Sequence, residues 1–133
     1  MQKNNNQTNI KLKSLSHQLT TVTNMCTLRF ETKLWMVNEK DEAVFGDGIA
    51  ELLEEIGNRH SILEAAQHLK MSYRYALHRI TLAEARLGQS LVTRVRGGAK
   101  GGGSSEVTNF GKNLVNRYRN AQAELKLILG KMS

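Results

Sequence analysis

Between Ser61 and Gly88 the chain reads SILEAAQHLKMSYRYALHRITLAEARLG, two amphipathic segments with barely a turn of chain between them. Ser61 and Glu64 make a capping box, and Ile62, Ala65, Ala66 and Leu69 follow at helical spacing. Lys70 and Met71 interrupt the pattern, and Ser72 can cap a second segment whose Ala76, Ile80, Ala83 and Leu87 form one apolar stripe before Gly88 ends it. So short a break forces the two helices against each other, and the alanines let them approach closely. This is the sequence form of a helix-turn-helix, although any small α-hairpin shares it. The flanking segments have to decide between the two.

Upstream, CTLRFETKLWMV and AVFG are partly alternating apolar stretches separated by NEKDE, which predicts a β-hairpin. Asp47 then offers an N-cap to a helix with Ile49, Leu52, Leu53 and Ile56 on one face and Gly57 as its stop. Its other face carries Glu51, Glu54 and Glu55, which would repel a phosphate backbone. Downstream, SLVTRV is extended and β-branched, EVT can pair with it across the glycines, and Thr108 caps a long last helix. The fold class expected is mainly α with small β: a winged helix-turn-helix with an N-terminal β-hairpin and a long C-terminal helix. Residues 1–26 form a polar extension, 27–108 the winged domain, and 109–133 the last helix.

That last helix places Phe110, Leu114, Tyr118, Ala121, Leu125, Ile128 and Met132 at alternating four- and three-residue steps, a heptad-like seam. Its first half can pack on the domain's own core. Its second half suits a homodimer through the C-terminal helix. No apolar run approaches the roughly 18 residues that span a bilayer, and the first 26 residues lack the apolar stretch of a signal peptide. No membrane partner and a cytoplasmic location are therefore expected. The single Cys26 cannot form an internal disulfide and reads as a structural thiol.

Lys100 in GGAKGGG is followed by Gly101 rather than Ser or Thr, and strands rather than a helix flank the loop, which argues against a nucleotide cradle. His17, His60, His68 and His78 are scattered without metal-ligand spacing. No nucleophile stands marked beside a base and a carboxylate. The expectation is no enzyme, no cofactor and no metal.

Charge points elsewhere. The net +7 divides into +3 over residues 1–26, −5 over 27–58 and +9 over 59–133. A polyanion is the natural partner of the basic half. On the helix opened by Ser72, burying Ala76, Ile80 and Ala83 leaves Tyr73, Arg74, Leu77, His78 and Thr81 outward, flanked by Tyr75 and Arg79. The N-terminal end of such a helix enters a major groove, where Arg74 can contact a base and tyrosine hydroxyls can reach phosphates. Arg96, Lys100 and the glycines, Gly101 and Gly102 among them, suit a wing tip lying near the backbone of double-stranded DNA.

The stretches SILEAAQHLKMSYRYA and RLGQSLVTRVRGGAKGGGSSEVTNFGKNLV, with their spacing, carry a family resemblance. From about Gly48 to Tyr118 the chain resembles the N-terminal DNA-binding domain of ModE-type molybdate-responsive regulators, themselves similar to LysR-type winged helices. The resemblance implies a homodimeric transcription factor. It matches Ser72, Tyr73, Arg74 and His78 to the DNA-facing part of the recognition helix, and Arg96, Lys100 and the glycines to the wing. It sets recognition helix 72–87 in the major groove and wing 96–105 on the backbone. Leu77 stands where the family commonly has tryptophan and the wing is one residue longer, so the operator is not implied. Full-length members carry molybdate-binding domains after the winged domain; the sequence to Ser133 leaves no space for one, and direct molybdate binding is not expected. Two alternatives stand beside this reading: a winged-helix protein-interaction module, and a small oxyanion-responsive regulator.

Overall fold

The computed structural model describes residues 27–95 and 103–132. These divide into two units: Lys33–Glu124, and a second to which residues 27–32 and 125–132 belong.

In the larger unit β1 (Trp35–Val37) and β2 (Ala43–Gly46) pair antiparallel, Trp35 opposite Gly46. Asn38 makes the turn, its Oδ1 accepting the backbone N–H groups of Lys40 at 2.9 Å and Glu42 at 3.0 Å. The expected strand was longer, beginning near Leu28. β1 begins at Trp35 because its partner there, Gly46, is the last residue of β2 before the next helix starts.

Helix α1 (Asp47–Arg59) follows without a side-chain cap: Gly46 holds the N-cap position, and Asp47, expected there, is the first helical residue. Ile49, Ala50, Leu52, Leu53 and Ile56 are buried, as the spacing predicts. The stop is not Gly57. The helix runs on to His60, whose φ of 58° turns the chain out. The two extra residues deliver the His60 carbonyl to the N–H of Ser105 at 2.9 Å, a long-range bond that a local stop at Gly57 would forfeit.

Helices α2 (Ile62–His68) and α3 (Tyr73–Leu87) form the compact pair. Ser61 Oγ accepts from Glu64 N–H at 3.1 Å and Ser72 Oγ from Tyr75 N–H at 3.0 Å, so both expected caps are made. Between them Met71 N–H returns to the Ala66 carbonyl and Lys70 takes a φ of 60°. Ala65, Ala66 and Ala76 are fully buried, which lets the two helices close on one another. Gly88 ends α3 with φ 75°, a conformation glycine adopts at no steric cost.

β3 (Val92–Val95) and β4 (Ser104–Val107) pair antiparallel, Val92 opposite Val107 and Val95 opposite Ser104. Thr108 Oγ1 then accepts from Gly111 N–H at 2.9 Å, capping α4 (Asn109–Met132). Leu114 and Tyr118 carry α4 into the core, where the Tyr118 ring lies 5.8 Å from that of Phe45 and its hydroxyl donates to the Leu34 carbonyl at 2.8 Å. Burial is the main reason the Tyr118 phenol is held above its ordinary pKa. Gly111 sits where a Cβ would come within 2.8 Å of both the Leu91 carbonyl oxygen and Val107 Cγ1.

In the smaller unit Arg29 and Glu31 pair at 2.7 Å, and Leu127, Ile128 and Met132 are exposed. Of the seven seam positions, Leu114 and Tyr118 are buried, Phe110 and Leu125 half-buried, and Ala121, Ile128 and Met132 exposed.

Candidate nucleic-acid interface

The candidate interface is centred on α3. Ala76, Ile80 and Ala83 hold its inner face in the core, which fixes the rotation of the helix and so decides which side chains face out. Tyr73, Arg74, Tyr75 and His78 are all exposed and fall within its first two turns. Arg74 makes no ion pair among the described residues. Ser72 is exposed as well, with its hydroxyl oxygen engaged as the helix cap.

Two residues depart from their expected positions. Leu77, read as outward, is half-buried against the edge of the core, because a 15-residue helix closing on both α1 and α2 buries more than one three-residue stripe. Arg79 is half-buried too. Its Nη1 donates to the Tyr75 hydroxyl at 3.0 Å, and its guanidinium carbon lies 5.7 Å from the centre of the Tyr75 ring. Beyond it lies an open cleft of about 290 Å³ between the first hairpin and α3, walled by Trp35, Phe45, Ile49, Leu82 and Arg86. Arg86 is tied into that wall by donating to the Ala43 carbonyl at 2.9 Å.

The second hairpin is placed against α3 by groups the sequence did not mark. Glu84, on α3, accepts from the N–H of Leu91 at 2.7 Å and of Val92 at 3.2 Å through a single carboxylate oxygen. From the other side Ser105 N–H meets the His60 carbonyl, and His60 Nδ1 lies 2.8 Å from Glu106 Oε2. Thr108 closes the base, its N–H donating to the Leu91 carbonyl and its hydroxyl to that of Ser90. Glu84 and His60 are separated in sequence from what they hold by 7 to 46 residues, so no local pattern announces them. Arg94 is exposed on β3. Arg96, Lys100, Gly101 and Gly102, the expected tip, lie outside the described residues.

Three acids of α1 are bound to arginines. Arg119 of α4 bonds Glu54 through Nε at 3.0 Å and Nη2 at 2.8 Å, and Asp47 through Nη1 at 2.7 Å. The bond from Arg119 is the largest influence lowering the Asp47 pKa, and the bond to Glu54 the largest raising that of Arg119. Glu55 pairs with Arg59 at 2.8 Å. Two of the three glutamates expected to face solvent are thus bound to arginines, while Glu51 stays exposed. Among the described residues no group of three His, Cys, Asp or Glu side chains could hold a metal ion, and no helix is long and apolar enough to cross a membrane.

A helix, a tight helix pair, a two-stranded hairpin bound to the outward helix, and a long last helix braced on the first define a winged helix-turn-helix domain. In sequence the chain is 31% identical over 109 residues, 82% of its length, to the molybdenum transport protein ModE of Azotobacter vinelandii, and it spans 40% of that protein. The domain is ModE-like in sequence. Among solved structures ArgP from Mycobacterium tuberculosis superposes with a TM-score of 0.48 at 21% identity, over 65% of this chain and 30% of its own. No protein-family model matches the chain.

Proposed function

We propose that the chain is a DNA-binding transcriptional regulator rather than an enzyme, one that binds double-stranded DNA sequence-specifically in the cytoplasm. Recognition helix 72–87 enters the major groove and wing 96–105 follows the backbone. The observation that carries this reading is the partition of charge. Arg59 and Arg119 are consumed by Glu54, Glu55 and Asp47, whereas Arg74 on α3 and Arg94 on β3 are exposed and make no ion pair among the described residues. These two stand on the helix and hairpin that such a fold presents to DNA; Lys70 beside α3 and Lys112, Arg117, Lys126 and Lys131 on α4 are likewise exposed and make no ion pair among the described residues, adding to the positive charge of the domain.

Within that reading Arg74 is the base-contacting residue, since a guanidinium can make a bidentate contact to guanine. Tyr73, Tyr75 and His78 reach phosphates or neighbouring base edges, Ser72 orients the helix start, and Arg96, Lys100, Gly101 and Gly102 meet phosphates at the wing tip. A homodimer through the last helix places two α3 helices about 34 Å apart or a multiple of it, on one face of the duplex. Selection from random duplexes tests this. An inverted repeat with that spacing is expected, and recovery of no preferred sequence would overturn it.

The molybdenum named for the relative is a separate question. The chain spans less than half of that protein, and direct molybdate binding is not part of the proposal. A thermal-shift titration with molybdate is expected to leave Tm unchanged at millimolar anion; a saturable rise would instead favour the oxyanion-responsive reading.

A further inference from the structure

On the sequence alone Arg79 is one more cation on the DNA-facing helix. Its surroundings give it a different task. The guanidinium is turned along α3, donating to the Tyr75 hydroxyl at 3.0 Å and lying 5.7 Å from the Tyr75 ring centre. No carboxylate pairs with it among the described residues. It comes to rest against Gly48 at the start of α1, where a Cβ would stand 3.1 Å from Nη2 and 3.4 Å from Nη1. Glycine at that position leaves the seat open for a planar cation.

Resting on the reading of α3 as the DNA-facing helix, we propose that Arg79 is a positioning residue. Seated by Gly48, it locks the Tyr75 phenol in one orientation, so that the hydroxyl proton is presented to a DNA phosphate. The phenol oxygen accepts from the cation, so its single proton is left for another acceptor. A bond from a charged donor is stronger than a neutral one, and a side chain held before binding has less rotational freedom to lose. Arg79 itself makes no phosphate contact in this account. Tyr75 and Arg79 are four residues apart on one helix, a spacing at which side chains meet, so the pair forms within α3 whether or not DNA is present.

Three substitutions separate this from its competitors. Tyr75→Phe, Arg79→Met and the double variant are compared by fluorescence anisotropy on the selected duplex over a range of salt, with Tm recorded for each. Each single change is expected to weaken binding about fivefold, as for loss of one hydrogen bond, and the double change no further. If Arg79 touched a phosphate itself, the losses would multiply and the salt slope of Arg79→Met would fall by about one; either result overturns the proposal. Gly48→Ala gives the discriminating sign. Alanine in place of an exposed helical glycine is expected to raise Tm, because the tip of the arginine can give way by a few tenths of an ångström, and yet to weaken binding. Unchanged affinity in Gly48→Ala would count against the seat. Without DNA, NMR of the Tyr75 ring is expected to show one rotamer in the natural chain and averaging in Arg79→Met; averaging in both overturns the lock. Arg74→Ala serves as the reference: if the natural chain binds no duplex, the functional reading fails and the phosphate role falls with it. If Arg74→Ala loses binding while Arg79→Met does not, only the positioning role fails.

Discussion

At the scale of single residues, close approaches decide more than exposure does. Gly111 marks the place where α4 meets both the Leu91 carbonyl and Val107, the two sides of the second hairpin's base. Gly111→Ala gains helix propensity of up to about 1 kcal/mol but must push two contacts of 2.8 Å apart, one of them to backbone that cannot swing aside. Urea denaturation is expected to show a net loss of about 1–2 kcal/mol. Ser72→Ala removes the cap of α3 and is expected to cost about 1 kcal/mol in the same measurement. It would also fray the turn bearing Tyr73 and Arg74, so affinity should fall by more than the loss of one contact. Stability unchanged in Ser72→Ala would show that the cap bond contributes little.

At the scale of elements, the local stripes were legible in the sequence and the long-range ties were not. Ile62, Ala65 and Ala66, and then Ala76, Ile80 and Ala83, announce two helices because burial on a helix repeats every three or four residues. The Ser61, Ser72 and Thr108 caps are legible for the same reason: each bonds an N–H three residues on. The ends of α1 and β1 were misjudged because each is set by a distant partner: Ser105 for His60, and the short β2 for β1. In the candidate site, exposure of Tyr73, Arg74, Tyr75 and His78 followed from the stripe. The inward turn of Arg79 and the grip of Glu84 did not, since they depend on α1 and β3.

Two element-scale tests follow from those ties. Glu84→Gln keeps one acceptor but removes the charge that draws both the Leu91 and Val92 N–H groups, so affinity should drop several-fold while α3 stays folded by circular dichroism. The Arg119 brace gives a pH dependence whose sign is fixed. Its bond holds the Asp47 pKa below its ordinary 3.8, so the stabilisation is present above that value and is lost as pH falls through the lower folded value. Asp47→Asn is therefore expected to be less stable than the natural chain at neutral pH, by under about 1 kcal/mol for so exposed a pair, and to converge with it well below pH 4. A difference that persisted undiminished in acid would assign the loss to something other than this ion pair.

At the scale of the molecule, the charge partition, the outward helix and the hairpin fixed to it act together. The exposed Ile128 and Met132 of the heptad-like seam are the surface through which a dimer is proposed. Replacing Ile128 and Met132 with glutamine should shift sedimentation from dimer to monomer and reduce affinity for an inverted repeat far more than for a single half-site. Affinity should also fall steeply with salt, with a log–log slope near −0.9 for each phosphate neutralised. The central claim is that α3 reads base edges through Arg74, and the most direct measurement is selection from random duplexes carried out in parallel with the natural chain and with Arg74→Ala. The account predicts an inverted repeat for the natural chain and, for the variant, the same repeat with preference relaxed at one position in each half-site. Identical motifs from both proteins would contradict it.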